Sequence, residues 1–219
     1  MGTSNRGLKM IKAISHNALS LAVVAAVCVA ILSIINLLTA PRIAEQALAS
    51  KLAVLQEVLP GVSIDHALLS DCRQATSLEF LGRETALNIY RWRQQDKVAA
   101  FLVEATAPDG YSGNIDLIVA VTPEGLVLGS RVVNHQETPG LGDKVESRRS
   151  NWIFSLSDKA VTTENSAIWA VRKDGGQFDQ FTGATITPRA VVTAVRKAAL
   201  YVLQHPELAN LPANCEVAP

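Results

Sequence analysis

Residues 86–105 read ALNIYRWRQQDKVAAFLVEA. Two runs of aliphatic and aromatic residues, 86–92 and 98–105, flank the polar quartet Gln94-Gln95-Asp96-Lys97, a pattern that predicts a β-hairpin. A second hairpin follows from residues 115–121 and 126–133. Its turn, Thr122-Pro123-Glu124-Gly125, carries Pro and Gly where tight turns favour them. Residues 168–173, IWAVRK, form a shorter candidate strand. Between Pro188 and His205, Val191, Val195, Ala198 and Val202 recur on one stripe of an amphipathic helix. Strands first and a helix last predict an α+β class, an antiparallel sheet with packed helices.

On the N-terminal side, residues 41–59 place Ile43, Ala47, Leu48, Leu52, Leu55 and Leu59 at helical spacing before Pro60-Gly61 stops the run. Further out, residues 18–40 (ALSLAVVAAVCVAILSIINLLTA) contain no charge. A helix of that length measures about 34 Å, enough to cross a hydrocarbon core of about 30 Å. The alternative is a cleaved signal peptide with Ala47-Leu48-Ala49 as cleavage box. It fits poorly, because signal apolar regions span only about 7–15 residues. Residues 1–17 carry Arg6, Lys9 and Lys12 and no acid, a net +3. By the positive-inside bias the N-terminus stays in the cytoplasm and the remainder is exported. The predicted organisation is therefore a cytoplasmic N-terminus at 1–17, a transmembrane helix at 18–40, a helical stalk at 41–60 and an extracytoplasmic domain at 61–219.

The composition narrows the chemistry. Lys plus Arg and Asp plus Glu both number 20 among 219 residues, so there is no electrostatic footprint for nucleic acid. Three cysteines are too few for a disulfide scaffold, a four-thiolate metal site or an iron–sulfur cluster held by this chain alone. Cys28 lies in the membrane run. Cys72 and Cys215 both fall in the exported part, where a bridge can persist. Whether their Cα atoms approach closely enough to pair is not legible in the sequence.

Chemistry concentrates in Asp179-Gln180-Phe181-Thr182-Gly183-Ala184-Thr185-Ile186-Thr187-Pro188. Pro188 suits the first position of the terminal helix and Thr187 its N-cap. Gly183 and Ala184 let backbone approach another group closely. A helix start offers unpaired N–H groups and partial positive charge, which suit a phosphate. A capped helix after a glycine turn would look the same, so local physics leaves both readings open.

The pattern Asp179-x-x-Thr182-Gly183-Ala184-Thr185 resembles the flavinylation motif of FMN-binding domains, in which the last threonine carries FMN through a phosphoester bond. Gly110-Tyr111-Ser112-Gly113, His135-Gln136-Glu137-Thr138-Pro139-Gly140-Leu141-Gly142 and Lys173-Asp174-Gly175-Gly176 resemble the other signatures of that family, so the likeness covers nearly the whole chain. It is strongest to the G subunits of Rnf (also called Rsx) ion-translocating electron transport complexes. The C subunits of sodium-pumping NADH:quinone reductases are more distant cousins. The resemblance implies FMN bound covalently at Thr185, with Thr182, Gly183 and Ala184 as donors to its phosphate. It implies that Leu141 covers the flavin ring, that Glu137 and Thr138 reach its polar edge, and that Tyr111 stacks on it; read without the resemblance, residues 135–142 are equally a tight surface turn and Tyr111 an aromatic core residue. It further implies a separate flavin transferase for maturation and the other subunits of a bacterial inner-membrane complex as partners. The expected function is electron relay, coupling NADH and ferredoxin redox chemistry to ion transport, in a subunit that is not catalytic alone.

Other schemes fit less well. No metal site is expected: His135 and Glu137 lack the second histidine, four residues away on a helix, of a zincin. Gly110-Tyr111-Ser112-Gly113 is not the Gly-x-Ser-x-Gly nucleophile elbow. Two rival functions remain open, a membrane-anchored flavin or ligand sensor and a purely structural assembly subunit.

Overall fold

The computed structural model describes residues 3–59, 62 and 66–215. The Pro60-Gly61 helix stop lies outside the described residues. The chain divides into two compact units, Met1–Ser50 and Lys51–Pro219.

The first unit is helical, the greater part of α1 (Thr3–Val58). It contains an apolar run, Leu21–Ile43, long enough to cross a membrane. Its leucines, valines and isoleucines are exposed, as they must be if lipid is their solvent. Helical geometry continues through Pro41, and the Thr39 hydroxyl donates back to the Ile35 carbonyl at 2.8 Å.

In the second unit, α2 (His66–Ser70), β1 (Cys72–Ser77) and α3 (Leu78–Leu81) precede β2 (Arg83–Gln94) and β3 (Lys97–Ala107). Then follow β4 (Ile115–Val121), β5 (Leu126–Asn134), the two-residue β6 (Lys159–Ala160) and α4 (Ile186–Gln204). Among the described residues, six strands form one antiparallel meander in chain order. Both predicted hairpins are present. The first turns on Gln95 and Asp96, whose positive φ values of 51° and 65° are those of a two-residue hairpin loop. The second turns through Gly125 at φ 85°.

Alternation along the strands divides the core. Phe101, Val103, Leu117 and Val119 join the predicted stripe of α4 (Val191, Val195, Ala198, Val202) in one buried cluster. On the other side of the sheet, the end of α1 and the residue after it bury Leu55, Val58 and Leu59. Gly129 permits that approach, since a Cβ there would stand 2.4 Å from the Val58 carbonyl oxygen. Arg131 ties the same junction, donating to the Glu57 carbonyl at 2.9 Å with its guanidinium 4.3 Å from the Phe154 ring centroid. Burial lowers its pKa despite the carboxylate of Glu57.

The candidate strand at 168–173 is not a strand. Two 3₁₀ turns, Ser166–Ile168 and Arg172–Asp174, take its first residue and its last two, and Val171 makes only an isolated bridge to Phe178. Trp169 and Val171 are apolar because they enter the core as single pegs. The Gly175-Gly176 turn folds the chain back too soon for a ladder, with the Gly176 N–H on the Val171 carbonyl at 3.1 Å.

Cys72 and Cys215 form a disulfide, with Cα atoms 5.5 Å apart. Asn214 donates its N–H to the Cys72 carbonyl at 3.0 Å and accepts the Gln74 N–H on its side chain at 2.7 Å. The C-terminal segment thereby covers the open edge of β1.

Candidate functional site

At the start of α4 lies an open cavity of about 260 Å³ lined by Tyr111, Glu137, Thr138, Leu141, Gly142, Gly183, Ala184, Thr185, Ile186 and Thr187. Three separate stretches build it: the loop before β4, the segment after β5, and the approach to α4.

The last of these is held by two indoles. Trp152 donates to the Asp179 carbonyl at 2.7 Å and meets the Phe181 ring edge-on with centroids 5.1 Å apart. Trp169 packs against Phe178 at 4.9 Å and donates to the Ala160 carbonyl. Phe178 and Phe181 are buried, so the intervening Asp179 and Gln180 stay at the surface while the chain is fixed on both sides. A turn then closes from the Ala184 N–H to the Phe181 carbonyl at 3.1 Å. Gly183 takes φ 79° there, with only a Leu141 methyl near its missing Cβ.

The helix starts two residues earlier than its sequence indicates. Thr185 is the N-cap and Pro188 the third helical residue, not the first. Thr187, expected as the cap, sits inside the first turn at 1% exposure and gives its hydroxyl to Oε2 of Glu137. Pro188 is tolerated because the N–H groups of a first turn have no intrahelical acceptor. Thr185 itself has helical dihedrals (φ −73°, ψ −30°) and makes no side-chain capping bond, while its carbonyl accepts the Arg189 N–H at 3.2 Å.

Glu137, only 5% exposed, joins the three stretches. Its Oε1 accepts the Ser112 N–H at 3.0 Å and its Oε2 the Thr187 hydroxyl. Its own N–H donates to Nδ1 of His135 at 3.0 Å, leaving Nε2 of that ring 2.7 Å from the Glu146 carboxylate. The neutral tautomer with the proton on Nε2 satisfies both contacts. Gly110 and Gly142 give the carboxylate its room, since a Cβ on either would come within 3.0 Å of it. The Thr138 carbonyl gathers the N–H groups of Leu141 and Gly142 at 3.1 and 3.0 Å, which brings Leu141 to the rim.

Seven of the eight residues proposed from sequence (Tyr111, Glu137, Thr138, Leu141, Gly183, Ala184 and Thr185) thus line one cavity. Thr182 does not; its side chain is exposed outside the lining. Sequence reasoning did not place Gly142 or Ile186 in the wall and gave Thr187 the task of the cap, the last two because it started the helix too late. Tyr111, Leu141 and Ile186 are 67%, 43% and 43% exposed, an apolar rim around a polar floor.

Beside the rim, Arg189 of α4 holds Asp174 through two contacts of 2.5 and 2.8 Å. The hydrogen bond from Arg189 pulls the Asp174 carboxyl below its ordinary range, and the same bond raises Arg189.

An antiparallel meander backed by one long helix, with a threonine-bearing turn opening onto a cavity, defines the class. The model of the FMN-binding domain family matches residues 110–200, and that of the RnfG N-terminal region matches residues 10–58. The chain belongs to the family of G subunits of ion-translocating oxidoreductase complexes. The G subunit of the ion-translocating oxidoreductase complex of Escherichia coli O157:H7 is 48% identical over 205 residues, covering 93% of this chain and 98% of that protein. The corresponding G subunit of Vibrio cholerae serotype O1 (strain M66-2) is 47% identical over 208 residues, covering 94% and 99%. That of Salmonella typhimurium is 48% identical over 203 residues, covering 93% and 97%. Among solved structures, Shewanella oneidensis NqrC aligns with 22% identity and a TM-score of 0.46, covering 62% of this chain and 69% of that one.

Proposed function

We propose that the chain is the flavin-carrying electron-transfer subunit of a membrane-bound ion-translocating oxidoreductase, with FMN esterified through its phosphate to Thr185. The observation that carries this is convergence. Motifs far apart in sequence, around Tyr111, Glu137–Leu141 and Gly183–Thr185, wall a single cavity at whose helix start a threonine hydroxyl stands uncapped.

The residues present fit the group. The N–H groups of Ile186 and Thr187 have no intrahelical acceptor, and with the helix dipole they suit a phosphate diester bearing one negative charge. Leu141, Ile186 and Tyr111 offer apolar surface for a planar ring. Gly183 takes the positive φ that the turn before Thr185 needs, with only a Leu141 methyl within 4 Å of where a Cβ would stand. Bound FMN supplies one- and two-electron redox chemistry; the chain fixes its position and surroundings. A covalent tether keeps the cofactor from being lost outside the cytoplasm. In this proposal the globular unit faces the periplasm across the bacterial inner membrane. The other subunits of the complex exchange electrons with it, coupling NADH and ferredoxin chemistry to ion movement, and a flavin transferase loads it.

The test is coexpression with a flavin transferase, followed by a denaturing gel viewed under ultraviolet light and an intact mass. A fluorescent band is expected, with a mass increase equal to FMN less one water, and both disappear in Thr185→Val. Wild-type chain coexpressed in this way without either signal refutes the attachment. To separate carrier from sensor, flavin reduction is followed in the assembled complex after NADH or reduced ferredoxin is added. Reduction on the timescale of turnover marks a carrier.

A further inference from the structure

Sequence alone gives α4 a strong start signal that the structure does not use. Thr187 followed by Pro188 is a good N-cap with proline at the first helical position. Had the helix started there, Thr185 would lie outside it. Instead Glu137 takes the Thr187 hydroxyl, removing it as a cap, and the helix begins at Ile186 with Thr185 as the boundary residue. An N-cap threonine ordinarily turns its oxygen back onto the N–H of the second or third helical residue. Here the third residue is Pro188, which has no N–H, so the N–H of Thr187 is the one capping partner left to Thr185. The helical dihedrals of Thr185 further depart from the extended backbone that capping needs.

We infer that Pro188 and Glu137 are positioning residues for the modification of Thr185: Glu137 withdraws the competing hydroxyl of Thr187, and Pro188 removes one of the two N–H groups that could cap Thr185, whose helical backbone turns its oxygen from the other, so that this oxygen stays free to react. This rests on the flavin attachment proposed above and adds what selects the hydroxyl. The step itself requires a riboflavin phosphate activated as a phosphoanhydride, supplied by the transferase. Oγ1 of Thr185 forms the new bond to phosphorus, the anhydride P–O bond breaks, the second phosphate leaves with that electron pair, and the hydroxyl proton passes to base or solvent. A threonine oxygen already accepting an N–H is a poorer nucleophile and points toward the helix. Thr187 is buried and engaged, so it does not compete.

The experiment compares attachment rates in the purified full chain, incubated with flavin transferase and flavin dinucleotide and sampled by intact mass. Pro188→Ala restores an N–H at the third position and is expected to slow attachment about fivefold or more, the factor that corresponds to one ordinary cap. Its melting temperature is expected to hold or rise, since the new cap offsets the lost rigidity of proline. Opposite movement of rate and stability distinguishes positioning from a packing role. Glu137→Gln leaves one acceptor oxygen for two donors and is expected to slow attachment with Pro188 intact. Attachment at the wild-type rate in either variant overturns that residue's part. A slowed Pro188→Ala chain that also melts lower, or does not fold, overturns the inference by making the proline a packing residue. Wild-type chain that takes no flavin under these conditions withdraws the attachment reading and the inference with it, a result separable from the other two because it appears before any variant is compared.

Discussion

The bond between the Thr187 hydroxyl and Glu137 is the most exposed to disruption of any single contact at the site, because both groups are buried. Thr187→Val keeps the shape and removes the donor, leaving a carboxylate oxygen desolvated and one partner short. The expected cost is about 2 kcal/mol, read as a lower urea midpoint with unchanged slope. Thr185→Val, by contrast, touches no capping bond and is expected to shift stability by only about 0.5 kcal/mol while abolishing flavin loading. The pair of measurements distinguishes the threonine that holds the structure from the one proposed to do its chemistry. In sequence the two look alike, separated by Ile186. Their roles were not legible there because the withdrawal of Thr187 depends on Glu137, fifty positions away. The cavity's membership was legible, since its motifs are local; the helix start was not, since a long-range bond overrides the local cap.

At the level of elements, the loop carrying Asp174 is tied to α4 by Arg189, and its pH dependence has a definite sign. The folded-state pKa of Asp174 is depressed, so the pairing is fully present above the ordinary carboxylate range and is lost as pH falls through the lowered value. Glu207, held low first by the hydrogen bond from His205, acts in the same direction at the far end of α4. Melting curves between pH 7 and pH 3 are therefore expected to drop in the acid region, and less so in Asp174→Asn. Because these carboxylates are at the surface, the effect shrinks at high salt. The hairpins could be read directly because each turn announces itself with polar or Pro-Gly residues. The segment between β5 and α4 could not, because 3₁₀ turns have no repeating pattern and its tryptophans act as pegs. The disulfide belongs to this scale too. It joins β1 to a C-terminal segment 143 residues away, and the same segment covers that strand's open edge. Cys215→Ser is expected to lose up to about 4–5 kcal/mol in the chain-entropy model, and to make the protein more prone to associate through β1. Urea unfolding with and without reductant reads the first effect, and light scattering the second.

For the molecule as a whole, the physical asymmetry is between the 1–50 unit, whose run Leu21–Ile43 is apolar and exposed, and the 51–219 unit, which has its own core. A chain shortened to begin at Lys51 retains Leu55, Val58 and Leu59, which bury in the second unit, and is expected to stay soluble without detergent. The full chain is expected to require detergent. Which side of the membrane the larger unit occupies is a matter of charge. Arg6, Lys9 and Lys12 precede the apolar run with no acid among the first 17 residues, and short flanking segments of this kind resist translocation. Replacing all three by Glu removes that resistance and is expected to leave a substantial fraction of chains inverted or uninserted. A reporter phosphatase that folds only after export, fused after Cys215, reads the outcome: high activity for the wild-type chain and a marked fall for the triple variant. If the proposed loading of Thr185 takes place only outside the cytoplasm, covalent flavin falls in step with the reporter. A triple variant that loses reporter activity yet keeps its flavin would place the transferase, and the site, on the cytoplasmic side.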